Sequence, residues 1–343
     1  MATAQSLTRN IDRTLAYTDE TLVPDVKFLQ FQKSPAAEIF LGDEVDQSVS
    51  GGMSVLRGAG KRVQTGGAKV QINHAVESNS TVQMMAGAWS TYDTTPQDFV
   101  RRSEADWKHG SGTRTLSLTD ELINTGPDAI ADHLATETRN VMGSAVDLWA
   151  VQVYSGSSAN EITGLDSLIG AGDTVQGLSG ATYAVWNSRG LSARNTAAAS
   201  VSFASGSFAA QGISDMRIGY DNASEGSNQP NVILSDYTER QYYEGTLVPA
   251  ERYAAPASVG DASFQRLLFR GAAWLPDPNA TSGVIYLVNT DCTYVKFLAG
   301  ADFQFQPWKH ATQQESRTSE LVTKGQTCID DRRLSNKLTG VIA

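Results

Sequence analysis

One stretch stands apart in a chain otherwise written for strands and turns: "NTGPDAIADHLATETRNVMGSAVDLWAVQVYSG", from Asn124 to Gly156. Proline at 127 suits the first helical position, because its missing N–H has no partner there anyway, and Asp128 complements the positive N-terminal dipole. Ile130, Leu134, Val141, Ala145 and Leu148 recur at three- to four-residue steps and mark one face. Gly156 is placed to end the helix. About 27 residues at 1.5 Å each predict a rod of roughly 40 Å, longer than an ordinary helix. The spacing predicts one continuous helix over at least Asp128–Val153.

The flanking segments read differently. Residues 1–50 carry Val23, Phe28, Leu29, Phe31, Ile39, Phe40 and Leu41 without a sustained period. Such a segment cannot build a core alone and is expected as an extended arm lying on something else. "GGMSVLRGAGKRVQTGGAKVQINHAV" is punctuated by glycines and then alternates at Val70, Ile72 and His74, as one strand of a long hairpin does. Thr81–Phe99 reads as its loop-like centre and Trp107–Leu118 as the returning strand. A two-stranded arm is marginal by itself and needs neighbours. Further on, "GLDSLIG" is a short strand candidate, and Ser207–Gly226 holds a helix and then a loop. "NVILSDYTERQYYEG" is a buried strand running into a helix, with Asp236 as N-cap and Glu239 three residues later. After Phe264, β patterns dominate, at Leu267–Phe269, Val284–Val288, Thr293–Phe297 and Phe303–Phe305.

Composition narrows the function. The 343 residues are 41% hydrophobic, enough for a sizeable core. No apolar run approaches the ~20 residues of a membrane helix, and the N-terminus has no signal-peptide core. Two cysteines, Cys292 and Cys328, do not make a disulfide framework and read as small core hydrophobes in a reduced compartment. A net charge of −10 argues against tight gripping of nucleic-acid phosphates, since Arg101-Arg102 and Arg332-Arg333 are the densest basic spots.

No catalytic constellation stands up. "GAGKR" has Val55 where a phosphate loop needs its first glycine, and Arg62 where it needs Ser or Thr. "GGMSV" is followed by Leu56 where a nucleophile elbow needs glycine. His74, His109, His133 and His310 lack paired-ligand spacing, so no metal or cofactor is expected. "DNASEG" lacks the spacing of a calcium loop. Asp330-Asp331 reads as a solvated turn. The sequons at Asn79, Asn222 and Asn279 carry no weight without secretion.

In order, then, the chain is an arm, a glycine-rich hairpin, one long helix, a mixed α/β region and terminal strands. "TLSLTDELINTGPDAIADHLATETRNVM", "RLLFRGAAWLPDPNATSGVIYLVNTDC" and "GQTCIDDRRLSNKLTGV" resemble the strand and start of the spine helix, the strand–acidic turn–strand segment and the closing strand of tailed-phage major capsid proteins. The resemblance covers most of the chain and lies chiefly in linear order. It implies an α+β, Hong Kong 97-like phage capsid fold. The expected parts are an N-terminal arm (1–56), an extended β-hairpin loop (57–118), a peripheral domain with the spine helix (119–179), an axial domain (180–290) and a return to the peripheral domain (291–343). It implies a virion shell of hexamers and pentamers around double-stranded DNA, bound without sequence preference and assembled in the host cytoplasm. The implied partners are further copies of the chain, a portal protein, a decoration protein and a separate scaffolding protein, with residues 1–47 retained as the arm; no membrane is involved. Trp89, Tyr92 and Phe99 on the thin hairpin, with Phe28 and Phe31 on the arm, are the expected intersubunit contacts. Covalent cross-linking of Lys61, Lys69 or Lys108 to Asn289 or Asn336 is not expected. The alternatives are an encapsulin-like compartment of the same fold, or a soluble hydrolase using scattered carboxylates.

Overall fold

The computed structural model describes residues 33–42, 58–85, 87, 90–117, 119, 122, 133–157, 159–189, 212–251, 267–310 and 314–341. Among them are fifteen strands: β1 (Lys61–Gln64), β2 (Lys69–Ala75), β3 (Val100–Asp106), β4 (Lys108–Ser117), β5 (Thr174–Val175), β6 (Leu178–Ser179), β7 (Val232–Ser235), β8 (Leu268–Phe269), β9 (Ala272–Pro276), β10 (Val284–Val288), β11 (Thr293–Leu298), β12 (Gln304–Phe305), β13 (Lys309–His310), β14 (Ser316–Ile329) and β15 (Asn336–Thr339). The α-helices among the described residues are α1 (His133–Ser155), the single turn α2 (Leu165–Leu168), α3 (Ile213–Asn222) and α4 (Tyr237–Glu251).

The five-stranded sheet runs β15-β10-β7-β9-β8. β7 and β10 are buried along their whole length, which is why "VILS" and "VIYLV" show no polar alternation. Val232, Leu234, Tyr286 and Val288 face the main core, while Ile233, Ile285 and Leu287 face a second core with Met216 and Tyr220 of α3 and Tyr243 of α4. β15 pairs antiparallel with β10, so the closing segment leaves β14 and finishes in the other sheet.

The six-stranded sheet is organised by β14. One edge of β14 takes β4 for ten register pairs, from Ser316↔Ser117 to Gly325↔Lys108. The other takes β11, β12 and β13 in turn. β1 adds in parallel to β11. Helix α1 lies over β4, and two glycines make the room. A Cβ on Gly110 would stand 2.7 Å from Trp149 Nε1, and one on Gly112 would stand 2.9 Å from Val141 Cγ1. Both lie on one face of the strand, two residues apart, so "HGSGT" encodes the seat of the helix.

Helix α1 is unbroken from His133 to Ser155, and its expected beginning, at 127–132, lies outside the described residues. Its core face differs from the expected stripe. Trp149, Ala150, Val153 and Tyr154 are buried, whereas Leu134 and Leu148 are exposed. Gly156 acts by close approach: a Cβ there would stand 2.1 Å from the Ile162 carbonyl oxygen. Gly164 faces it and donates to the Gly156 carbonyl at 2.7 Å.

Three further expectations change. "GLDSLIG" forms the short helix α2 rather than a strand, with Leu165 and Leu168 fully buried. Residues 33–42 are no extended arm: they form a helical turn that puts Ile39, Phe40 and Leu41 into the chain's own main core. Asp277 fixes that turn. This fully buried carboxyl accepts from Ser34 Oγ at 2.6 Å, Ala36 N at 3.0 Å and Tyr154 Oη at 3.0 Å through Oδ2, and from Asn279 N at 2.9 Å through Oδ1. Glu239, finally, does not close a capping box. It is buried and accepts from Gly283 N at 2.6 Å, while Asp236 alone caps α4 through Tyr237 N.

Candidate assembly surfaces

The hairpin forms, but with a different returning strand. β2 pairs antiparallel with β3, from Lys69↔Asp106 to Ala75↔Val100. The run expected to return, Trp107–Leu118, is instead mostly β4 and belongs to the six-stranded sheet. The sequence "VRRSEAD" hides β3 because most of its side chains meet water.

Both hairpin strands leave the main sheet through a short hinge. On one side lie Gly66 and Gly67, with φ of 77° and 102°, a region open to glycine. On the other lies Trp107 alone, whose indole N–H donates to the Gly67 carbonyl at 2.9 Å. Next to the hinge the hairpin is packed: Val70 is buried with Tyr294 and Cys328, and Ile72, Ala105 and Trp107 close around them. Further out it touches the body at few points. Glu104 N donates to the Gln176 carbonyl at 2.8 Å, and Arg101 Nε to Tyr183 Oη at 2.9 Å. The His74 ring lies 4.6 Å from that of Trp186.

Beyond Ala75 the described residues up to Phe99 form no strand, and apolar side chains stand in water. Met84 is 99% exposed, Val82 81% and Tyr92 82%, while Phe99 is 43% exposed. Trp89, Phe28 and Phe31 lie outside the described residues. A second exposed apolar set sits on α1, where Leu148 and Val151 are neighbours one turn apart. A third, Ile218, Tyr237 and Leu268, comes from α3, α4 and β8 around the five-stranded sheet.

Chemistry at the remaining polar groups is quiet. A cleft of about 590 Å³ opens between β2 and the body, lined among others by His74, Trp186, Tyr294, Lys296, Asp330, Asp331 and Arg333. Both cysteines are free thiols. Burial, then Asp331, Asp330 and Asp291, push Cys292 up to about 11 against the pull of Arg333. Burial pushes Cys328 up to about 12. Neither is a ready thiolate. Arg332 is fully buried, donates to the carbonyls of Leu168 (2.7 Å) and Gly170 (2.9 Å), and is held down to about 10 by desolvation. It ties two loops together. Among the described residues, no group of acidic, histidine or cysteine side chains is arranged to hold a metal, and no helix is long and apolar enough to cross a membrane.

The cross-linking partners are occupied. Lys61 pairs with Asp302 at 2.7 Å, Lys69 with Glu104 and Asp106, and Lys108 donates to the Ala159 carbonyl. Asn289 and Asn336 are buried, and Asn336 donates to the Gly219 carbonyl at 3.1 Å.

No protein-family model matches the chain, and no curated protein does. Solved structures do. A capsid protein of cyanophage A-1(L) is similar with a TM-score of 0.54 at 16% identity, over 82% of this chain and 90% of that one. A capsid protein of cyanophage P-SCSP1u is similar with a TM-score of 0.53 at 9% identity, over 94% and 93%. The SrpI encapsulin of Synechococcus elongatus PCC 7942 is similar with a TM-score of 0.51 at 9% identity, over 82% and 85%. The chain thus has the α+β fold of phage capsid proteins, a fold that an encapsulin shares.

Proposed function

We propose that this chain is the major capsid protein of a tailed phage, assembling as hexamers and pentamers into an icosahedral shell around double-stranded DNA. The observation that carries the reading is the hairpin. A thin two-stranded projection ends in a strandless tip that displays Val82, Met84, Tyr92 and Phe99, which the described residues of its own subunit leave uncovered. On a fold found in phage shells, a neighbouring copy is the surface that covers them. Helix α1 and the six-stranded sheet form the peripheral part, and the five-stranded sheet with α3 and α4 forms the axial part. A net charge of −10 suits a wall that encloses DNA without holding it. Portal, scaffolding and decoration proteins are the partners of such a shell, and the virion is its place.

The encapsulin likeness supports a second reading, a compartment with protein cargo. Electron microscopy of particles purified from cells expressing the chain in its natural context tests both. The capsid reading expects shells containing nuclease-protected DNA. Shells filled with protein would support the compartment, and a dispersed monomer would sink both.

A further inference from the structure

Among the described residues, the outer hairpin is fastened to its own subunit at three points, and one can change charge near neutral pH. His74 projects from β2 onto Trp186, ring centroids 4.6 Å apart, and its Nε2 lies 2.8 Å from Ser103 Oγ. Ser103 is almost fully buried, so this polar contact sits beneath the hairpin rather than at its rim. We propose that His74 is a pH-sensitive clasp: the neutral ring holds the outer hairpin on the Trp186 turn, and protonation releases it. The clasp is a property of the single chain and does not depend on the shell reading.

The surroundings decide the sign. From β3, Arg101 stands directly across the ladder from His74, and Glu104 stands one register pair beyond Ser103. A like charge opposite Arg101 is unfavourable. The buried guanidinium of Arg332 lies 6.0 Å from the Trp186 ring centroid, so an imidazolium, though itself drawn to an aromatic face, would be repelled by a cation already at that ring. Lys296 and Arg333 line the cleft as further cations. Asp330 and Asp331 oppose them and favour the proton, although Asp330 is engaged by Tyr294 Oη at 2.6 Å. Burial outweighs the two carboxylates and holds His74 below its ordinary value. A histidine on a released, solvated hairpin titrates near 6.5. The docked state therefore binds its proton more weakly than the released one. Docking is at full strength above about pH 6.5 and weakens as the pH falls below it.

One amide reports the event. Glu104 N–H points away from β2 and bonds the Gln176 carbonyl at 2.8 Å, so its exchange reads docking, while the β2–β3 ladder reads hairpin integrity. The full-length chain is compared at pH 7.5 and 5.0 by hydrogen–deuterium exchange, corrected for intrinsic exchange chemistry. A single linked proton raises opening by at most about tenfold per pH unit below 6.5. The expected result is a several-fold gain at Glu104 in the wild type, retained in His310→Gln and absent in His74→Gln. The same pH response in His74→Gln would overturn the proposal. So would a His74 ring titrating at or above 6.5 in the unsubstituted chain, followed by NMR on labelled histidine, which needs no variant.

Discussion

Asp277→Ala removes the acceptor on which the N-terminal helical turn, the end of α1 and the β9–β10 turn converge. Ser34 Oγ, Ala36 N, Tyr154 Oη and Asn279 N all donate to this one carboxyl. Tyr154 and Ala36 are fully buried and Ser34 nearly so. Three buried donors lose their acceptor, and each such loss costs about 1–3 kcal/mol. The effects share one site and are not additive, and water entering the vacated space relieves part of the cost. The expected destabilisation is about 3–6 kcal/mol. At roughly 2–4 °C per kcal/mol for chains of 150–250 residues, and less for a longer one, the midpoint should fall by about 5–15 °C. Asp277→Asn should cost less, yet still leave one donor facing another whichever way the amide turns. Thermal melting gives the global effect, and hydrogen exchange over 36–42 gives the local one. A midpoint within about 1 °C of wild type for Asp277→Ala, with the turn still protected, would refute the reasoning.

Gly110→Val should weaken the seat of α1 on β4 by about 1–3 kcal/mol, because the new Cβ meets the Trp149 indole; a thermal melt with unchanged midpoint would contradict it. Denaturing gels of mature particles should show a single band, since Asn289 and Asn336 are buried in their own subunit; a ladder of multimers would contradict this. Cys292 and Cys328 should react slowly with iodoacetamide in the native chain at pH 8, because thiols raised to about 11 and 12 hold little thiolate there; labelling as fast as in denaturant would contradict it.

What could be read from the residues was whatever burial writes as a pattern. β7 and β10 lie between two cores and appear as unbroken apolar runs. β3 carries no such mark, because a hairpin strand standing off the body buries almost nothing but Ser103. "GLDSLIG" is too short for periodicity to separate one helical turn from a strand. The core face of α1 is only partly written in its own spacing: Val141 of the stripe does seat on Gly112, but the place of Trp149 is set by Gly110, 39 residues away in sequence. Ile39, Phe40 and Leu41 carry no core signature for a related reason: a single turn held by Asp277 is fixed by a contact some 240 residues distant. At the hairpin tip, Tyr92 and Phe99 could be named as exposed rings because a thin loop has no interior to hide them.

In the proposed shell, a second copy of the chain covers the hairpin tip. A cryo-electron microscopy reconstruction of the assembled particle, at a resolution that shows side chains, tests it directly. The expected result is that Met84, Tyr92 and Phe99 pack against residues of a neighbouring chain. Particles in which these side chains remain in solvent, or fold back onto their own subunit, would contradict it.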